Sequence, residues 1–410
     1  MWPPIRLALA PEGTLATLAF VLAGVALGTC SGLVPGLHAN NVALLLAAVA
    51  PALPGPPRLV GAAIVAAGVT HTFLDVVPTL ALGVPDPAMA ASALPGHRLV
   101  LEGRGREALR LSAFGSASAV LLAVPLAVPV TEVMVASWPT VRANLPLVLA
   151  AVVGFLLVTE GGVRGALGGV VAVALSGALG QVALPLSPDA PLPGSVLAPL
   201  FAGLFGAPVL LDAMRGTGVP RQGGTSIELE RRTLAGLGAT GSLAGAIVGY
   251  LPGVSSAIAA TAALSATPGR YGARGFLVTT SGVNTSNSVF ALFALVALGS
   301  PRTGVLVAFE ATGAPLDLPL LLGSVALASV AGFLLVLSVG DRYLDRVGRV
   351  DPRWLSLAVL GLLAVLSGAF AGGVGLVLFV VATLVGLVPI RLGVRRAHLM
   401  GVLLVPLALG

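Results

Sequence analysis

Two kinds of short segment in this chain hold side chains whose types and spacing could do chemistry. Pro35-Gly36-Leu37-His38-Ala39-Asn40-Asn41 sets a helix stop and a permissive glycine ahead of three polar donors. Proline ends one helix, and the next begins with unpaired N–H groups that favour an anion. His38, Asn40 and Asn41 add donors, so a carboxylate or phosphate suits this place. Pro252-Gly253-Val254-Ser255-Ser256 builds the same feature with hydroxyls. The plainer reading is that these side chains only cap a buried helix end.

The second kind is Thr70-His71-Thr72-Phe73-Leu74-Asp75, answered by Asn284-Thr285-Ser286-Asn287-Ser288. Asp75 lies well inside an apolar stretch, where an ionised carboxylate is expensive unless partnered or protonated. If the backbone is helical there, His71 and Asp75 stand one turn apart on one face and share a proton or a cation. If it is unwound, freed carbonyls and the side chains of Thr70, Thr72, Asn284, Thr285, Ser286 and Asn287 would hold Na+ or the substrate. We expect a polar break at both segments. The bland alternative is a His–Asp pair that locks two helices together. Glu132, Glu160 and Glu310 fall near predicted span ends, where interfacial solvation explains them.

These residues sit in a chain of 410 residues that is 57% apolar and only 9% charged, with a mean hydropathy of +1.03. A soluble domain carries about 25% charged residues, so a water-soluble globule is excluded. All 22 basic residues are arginine. They are scattered through short loops and form no basic domain, so nucleic acid is not an expected partner. The single cysteine, Cys30, excludes an intrachain disulfide and a thiolate metal cluster. No G-x4-G-K-[ST] or H-E-x-x-H is present, and an intramembrane aspartyl protease would need a second buried aspartate. We therefore expect no enzyme, no cofactor and no metal beyond H+ or Na+ as a coupling ion.

Apolar runs fall near 14–34, 36–53, 59–84, 107–136, 144–159, 163–183 and 195–213, and again near 233–250, 252–267, 275–299, 317–339, 354–370, 372–389 and 396–410. The reading is an all-α polytopic membrane protein of about 10–14 segments, with interrupted helices or re-entrant hairpins. The first segment reads as retained, not as a cleaved signal. With alternating sides, 18 arginines fall on one face and Arg6, Arg58, Arg142 and Arg302 on the other. The positive-inside rule makes the rich face cytoplasmic and puts both termini outside a multi-pass protein of the cell membrane.

G-x3-G-x2-P-G occurs at residues 28–36 and 245–253, an offset of 217. Gly68-Val69 answers Gly282-Val283, and Gly83-Val84-Pro85 answers Gly299-Ser300-Pro301, in the same order. We read a duplication: residues 1–213 as one repeat, 214–232 as a cytoplasmic linker, and 233–410 as a second repeat. An odd number of crossings per half inverts the second repeat. Inverted repeats with interrupted helices are the mark of secondary transporters. The alternative for the glycines alone is close helix packing.

Gly32-Leu33-Val34-Pro35-Gly36-Leu37, Gly83-Val84-Pro85-Asp86-Pro87-Ala88-Met89-Ala90-Ala91, Leu94-Pro95-Gly96-His97-Arg98-Leu99 and Glu102-Gly103-Arg104-Gly105-Arg106-Glu107-Ala108-Leu109 together resemble motifs of a known family. It is the TctA-type large membrane subunit of tripartite tricarboxylate transporters. The resemblance implies an ion-gradient-driven carrier of organic anions, with substrate handled at the two P-G motifs. The chain is shorter than that resemblance leads one to expect, and could be a stand-alone branch. The partners it implies are a small organic anion, membrane lipid, a small membrane subunit and a soluble binding protein, with a second copy of the chain as a further candidate. Pro252-Gly253-Val254-Ser255-Ser256 also looks like a motif of polyprenyl-phosphate carriers, which keeps a lipid-translocase reading open. A non-transporting scaffold is the third reading.

Overall fold

The computed structural model describes residues 11–35, 37, 42, 45–46, 55–83, 93–192, 195–214, 219–224, 226–251, 256–265 and 271–409. Among them every regular element is a helix. In chain order these are α1 (Pro11–Gly32), α2 (Pro57–Leu74), α3 (Val76–Leu82), α4 (Ala93–Leu101), α5 (Gly105–Ala143), α6 (Leu145–Val158), α7 (Gly162–Ala183) and α8 (Leu197–Ala213). There follow α9 (Arg231–Tyr250), α10 (Ser256–Ser265), α11 (Gly272–Leu298), α12 (Gly304–Ala311), α13 (Leu318–Val347), α14 (Pro352–Leu392) and α15 (Arg396–Leu409). With α2 and α3 taken as one run, eight of the described helices are long and apolar enough to span a bilayer. The segment expected at 36–53 lies almost wholly outside the described residues.

Burial separates the inner helices from the outer ones. In the α2–α3 run 89% of the apolar window is buried and in α11 72%, against 28% for α5 and for α14. The outer faces show apolar side chains, such as Val158 and Leu121. Water would not tolerate such a surface, and lipid tails suit it.

Glycine lets the central helices approach one another. A Cβ on Gly24 or Gly28 of α1 would run into the Ala63 or Ala67 carbonyl of α2. On α9, a Cβ at Gly241 would lie 2.7 Å from the Thr279 carbonyl oxygen of α11, and one at Gly249 would lie 2.7 Å from the Phe290 Cβ. The G-x3-G pattern thus packs helices in both halves, as small residues do in membranes.

α14 holds 41 residues, which would be about 60 Å if straight, twice a bilayer core. It is not straight. Ala371 (φ −146°, ψ 20°) and Gly372 (φ 59°, ψ −151°) leave the helix, and a Cβ on Gly368 would lie 3.6 Å from Leu376. The two arms fold back on each other, in agreement with the expected segments 354–370 and 372–389.

One end of the bundle gathers charge. Arg104 pairs with Glu107 at 2.8 Å and with Glu228 at 2.6 Å, while Arg274 reaches the same two carboxylates at 2.8 and 3.0 Å. Arg106 meets Asp345 at 3.2 Å and Arg110 meets Asp341 at 3.4 Å. Gln222, in the stretch read as a linker, accepts from the Gly105 N–H at 2.6 Å and donates to the Val100 carbonyl at 3.0 Å. At the opposite end of α13, Asp317 lies 4.0 Å from Arg58.

Candidate functional site

The α2–α3 run carries the ionisable pair. Asp75 joins the two helices in helical conformation, its N–H donating to the His71 carbonyl at 2.9 Å. Thr79 donates both its N–H (3.4 Å) and its hydroxyl (2.8 Å) to the Asp75 carbonyl. Pro78 has no N–H to give, so the Leu74 carbonyl lacks its helical donor and the ladder is interrupted between the two helices at Asp75. The break expected at Asn284-Thr285-Ser286-Asn287-Ser288 is absent, because that stretch lies inside the continuous helix α11. Neither glycine nor proline interrupts that stretch, so nothing opens the ladder.

His71 and Asp75, one turn apart, are 1% and 5% exposed. The His71 Nδ1 lies 2.9 Å from the Ser31 hydroxyl of α1, and the Asn284 amide of α11 donates to the Asp75 carboxylate at 2.8 Å. Three helices thus meet at this pair, two from the first half of the chain and one from the second. Beside it, Ser31, Gly68, His71 and Val305 line a cavity of about 10 Å³, room for about one water. A carboxylate substrate does not fit there; a proton or a single small particle does.

The other expected residues divide. Thr285 donates to Ser116 at 2.8 Å, and Ser112 shares a 2.7 Å hydrogen bond with Ser281, so a buried line of hydroxyls follows the seam between α5 and α11 up to Asn284. Thr72 and Ser286 turn to carbonyls of their own helices, at 2.8 and 2.7 Å. Thr70 is buried against α1, and its hydroxyl makes no hydrogen bond among the described residues. Asn287 is half-buried beside Ser286 on α11. Pro35 is buried just past α1, and Ser256 is buried as it opens α10. Gly36, His38, Asn40, Asn41, Pro252, Gly253 and Ser255 lie outside the described residues.

Sequence reasoning missed three features. Glu107 is 1% exposed and holds two arginines, although the three-residue spacing from Arg104 was a visible signal. Arg104 pulls the Glu228 carboxyl below its usual range by hydrogen bonding to it. His97 donates its Nδ1–H to the Leu80 carbonyl at 2.6 Å, and burial pushes its pKa below the usual value. Arg396, read as a topology signal, is 9% exposed.

Residues 18–401 match the family described as "Tripartite tricarboxylate transporter TctA family". The chain belongs to that family. An uncharacterized protein of Methanocaldococcus jannaschii is 27% identical over 400 residues, covering 95% of this chain and 97% of the relative. No solved structure matches. In this TctA-family chain the motif residues Gly83, His97 and Glu107 lie towards the arginine-rich end, whereas Gly28 and Gly32 lie against the helix that carries His71.

Proposed function

We propose that this chain is the transport subunit of a carrier that moves an organic anion of the di- or tricarboxylate class by alternating access, driven by a cation gradient. The observation that carries the reading is the buried His71–Asp75 pair, joined to α1 through Ser31 and to α11 through Asn284. A titratable pair at a junction of helices from both halves changes its charge as the helices move, which is what coupling requires. The expectation left H+ and Na+ open. The backbone at 284–288 is continuous, but Pro78 leaves the Leu74 carbonyl beside Asp75 without its helical donor, so the reading keeps both H+ and Na+.

The anion itself belongs, in this reading, to the two P-G motifs, with Pro35, Gly36, His38, Asn40 and Asn41 facing Pro252, Gly253, Ser255 and Ser256 across inverted repeats. The glycine-packed pairs α1–α2 and α9–α11 support the duplication, because the same motif makes the same kind of contact in each half. The family's description as tripartite supports two further partners, a small membrane subunit and a soluble binding protein.

The test is uptake of labelled citrate and related carboxylates into proteoliposomes under separately imposed H+ and Na+ gradients. Uptake driven by one of the two gradients, and lost in Asp75→Asn, is the expected result. Undiminished uptake by Asp75→Asn would overturn the coupling assignment. Absence of carboxylate uptake even with the accessory proteins added, together with polyprenyl-phosphate transfer, would move the chain to the lipid-carrier reading.

A further inference from the structure

A second cavity, of about 340 Å³, opens at the arginine-rich end, far larger than the space beside His71. Small-ligand pockets begin at about 300 Å³. Gly83, His97, Asp212, Ser356 and Arg396 line it, and its remaining wall is aliphatic. The two ends of the α14 hairpin region make this possible: Leu355 near its start and Arg396 just after its end face the same space.

Arg396 is the feature that needs an explanation. Its side chain is more than nine-tenths buried, and its Nη1 makes no hydrogen bond. No ion pair within 4.0 Å engages it among the described residues; Asp212 lines the same cavity and attracts the guanidinium at longer range, but is itself exposed to solvent that screens it. A buried guanidinium is retained in proteins when a partner neutralises it. Ser356 is 3% exposed and lines the same cavity, with no protein partner for its hydroxyl among the described residues. The guanidinium and the hydroxyl, on a wall that also carries His97 and Asp212 and is otherwise aliphatic, fit an anion that presents paired oxygens from a hydrocarbon body, since guanidinium binds such oxygens in a forked geometry.

We propose that this cavity is an anion site, distinct from the P-G motifs and from the His71–Asp75 pair, in which Arg396 neutralises the anionic group and Ser356 orients it. The ligand class is a small organic carboxylate; a lipid phosphate presents the same oxygens and is the other source. Within the transport reading this site is where the anion pauses at the arginine-rich face. The binding claim does not depend on transport.

The test is calorimetric titration of purified, delipidated full-length protein with citrate and with succinate, next to mass spectrometry of lipid retained by undelipidated protein. Arg396→Gln is expected to weaken carboxylate binding at least tenfold, and Arg396→Lys to weaken it less. Leu101→Trp fills the cavity from the opposite wall while leaving Arg396 in place, so it gives the same loss if the cavity is the site. Retention of an anionic lipid by the wild type, lost in Arg396→Gln and Leu101→Trp, assigns the site to a phosphate headgroup. Equal binding of carboxylate and lipid by the wild type and both variants, or no binding of either by the wild type, overturns the proposal. Because no gradient is applied, this failure separates from a failure of coupled uptake.

Discussion

At the scale of the residue, Asp75 depends on Asn284 and Glu107 depends on its arginines. Asn284→Ala removes the donor to a buried carboxylate, a loss of about 1–3 kcal/mol where the acceptor has no replacement. We expect lower thermal stability and at least tenfold slower gradient-driven uptake, measured on the same preparation. Unchanged uptake would make Asn284 a packing residue. Glu107→Ala removes the buried one of the two carboxylates that Arg104 and Arg274 share and leaves them Glu228. Both arginines are partly exposed and stay paired with Glu228, so the cost is that of the lost charge-assisted hydrogen bonds, about 1–3 kcal/mol. His97 adds a pH dependence whose sign follows from its burial. Its folded pKa lies below the unfolded value of about 6.5, so its contribution is complete above that pH and is lost as pH falls towards the folded value. Melting of His97→Gln against wild type between about pH 7 and pH 5 should show the shallower decline in the variant.

At the scale of the element, glycine positions decide which helices can touch and where the chain can turn. Gly28→Val drives a branched side chain into the Ala67 carbonyl and the Thr70 Cβ, so α1 must separate from α2 and Ser31 from His71. Loss of folded protein, or of uptake at normal yield, is the outcome to look for. Gly154 on α6 has open space around its Cβ position, and Gly154→Ala should be neutral or stabilising by up to about 1 kcal/mol. Gly372 has the opposite character: its φ of 59° with ψ of −151° belongs to glycine, and a Cβ there meets the Asp189 carbonyl. Gly372→Ala should cost about 1–3 kcal/mol from backbone strain alone and open the α14 hairpin, seen as a lower melting temperature.

At the scale of the whole molecule, α13 gives a ruler. Its 30 residues span about 45 Å, with Asp317 capping one end and Asp345 near the other, so the Arg58–Asp317 and Arg106–Asp345 pairs lie a bilayer's thickness apart along it. Combined with the arginine asymmetry, this predicts that Arg58→Cys reacts with an impermeant thiol reagent on intact cells and that Asp345→Cys reacts only after permeabilisation, both in a Cys30→Ser background. The reverse pattern would invert the proposed topology. The principal core draws side chains from both halves of the chain, Val69 and Phe73 beside Phe290 and Val325, so the halves are interleaved and do not form separate lobes.

The amino-acid sequence alone determined the class of molecule, most of the helical segments, the turn at 371–372 and the placement of His71 and Asp75 inside an apolar run. Those features are local: apolarity accumulates along one span, glycine opens one turn, and an isolated carboxylate in an apolar run is conspicuous wherever the run ends up. Only the tertiary structure decided that Asp75 meets Asn284, 209 residues away, that the polar stretch at 284–288 stays helical, and that Glu107 and Arg396 are buried. A helix can satisfy its own backbone whatever its side chains face, so sequence cannot say which polar face opens a break and which meets a neighbour. The neighbours are set by how glycine-lined helices pack across the two halves, and that is a property of the assembled bundle.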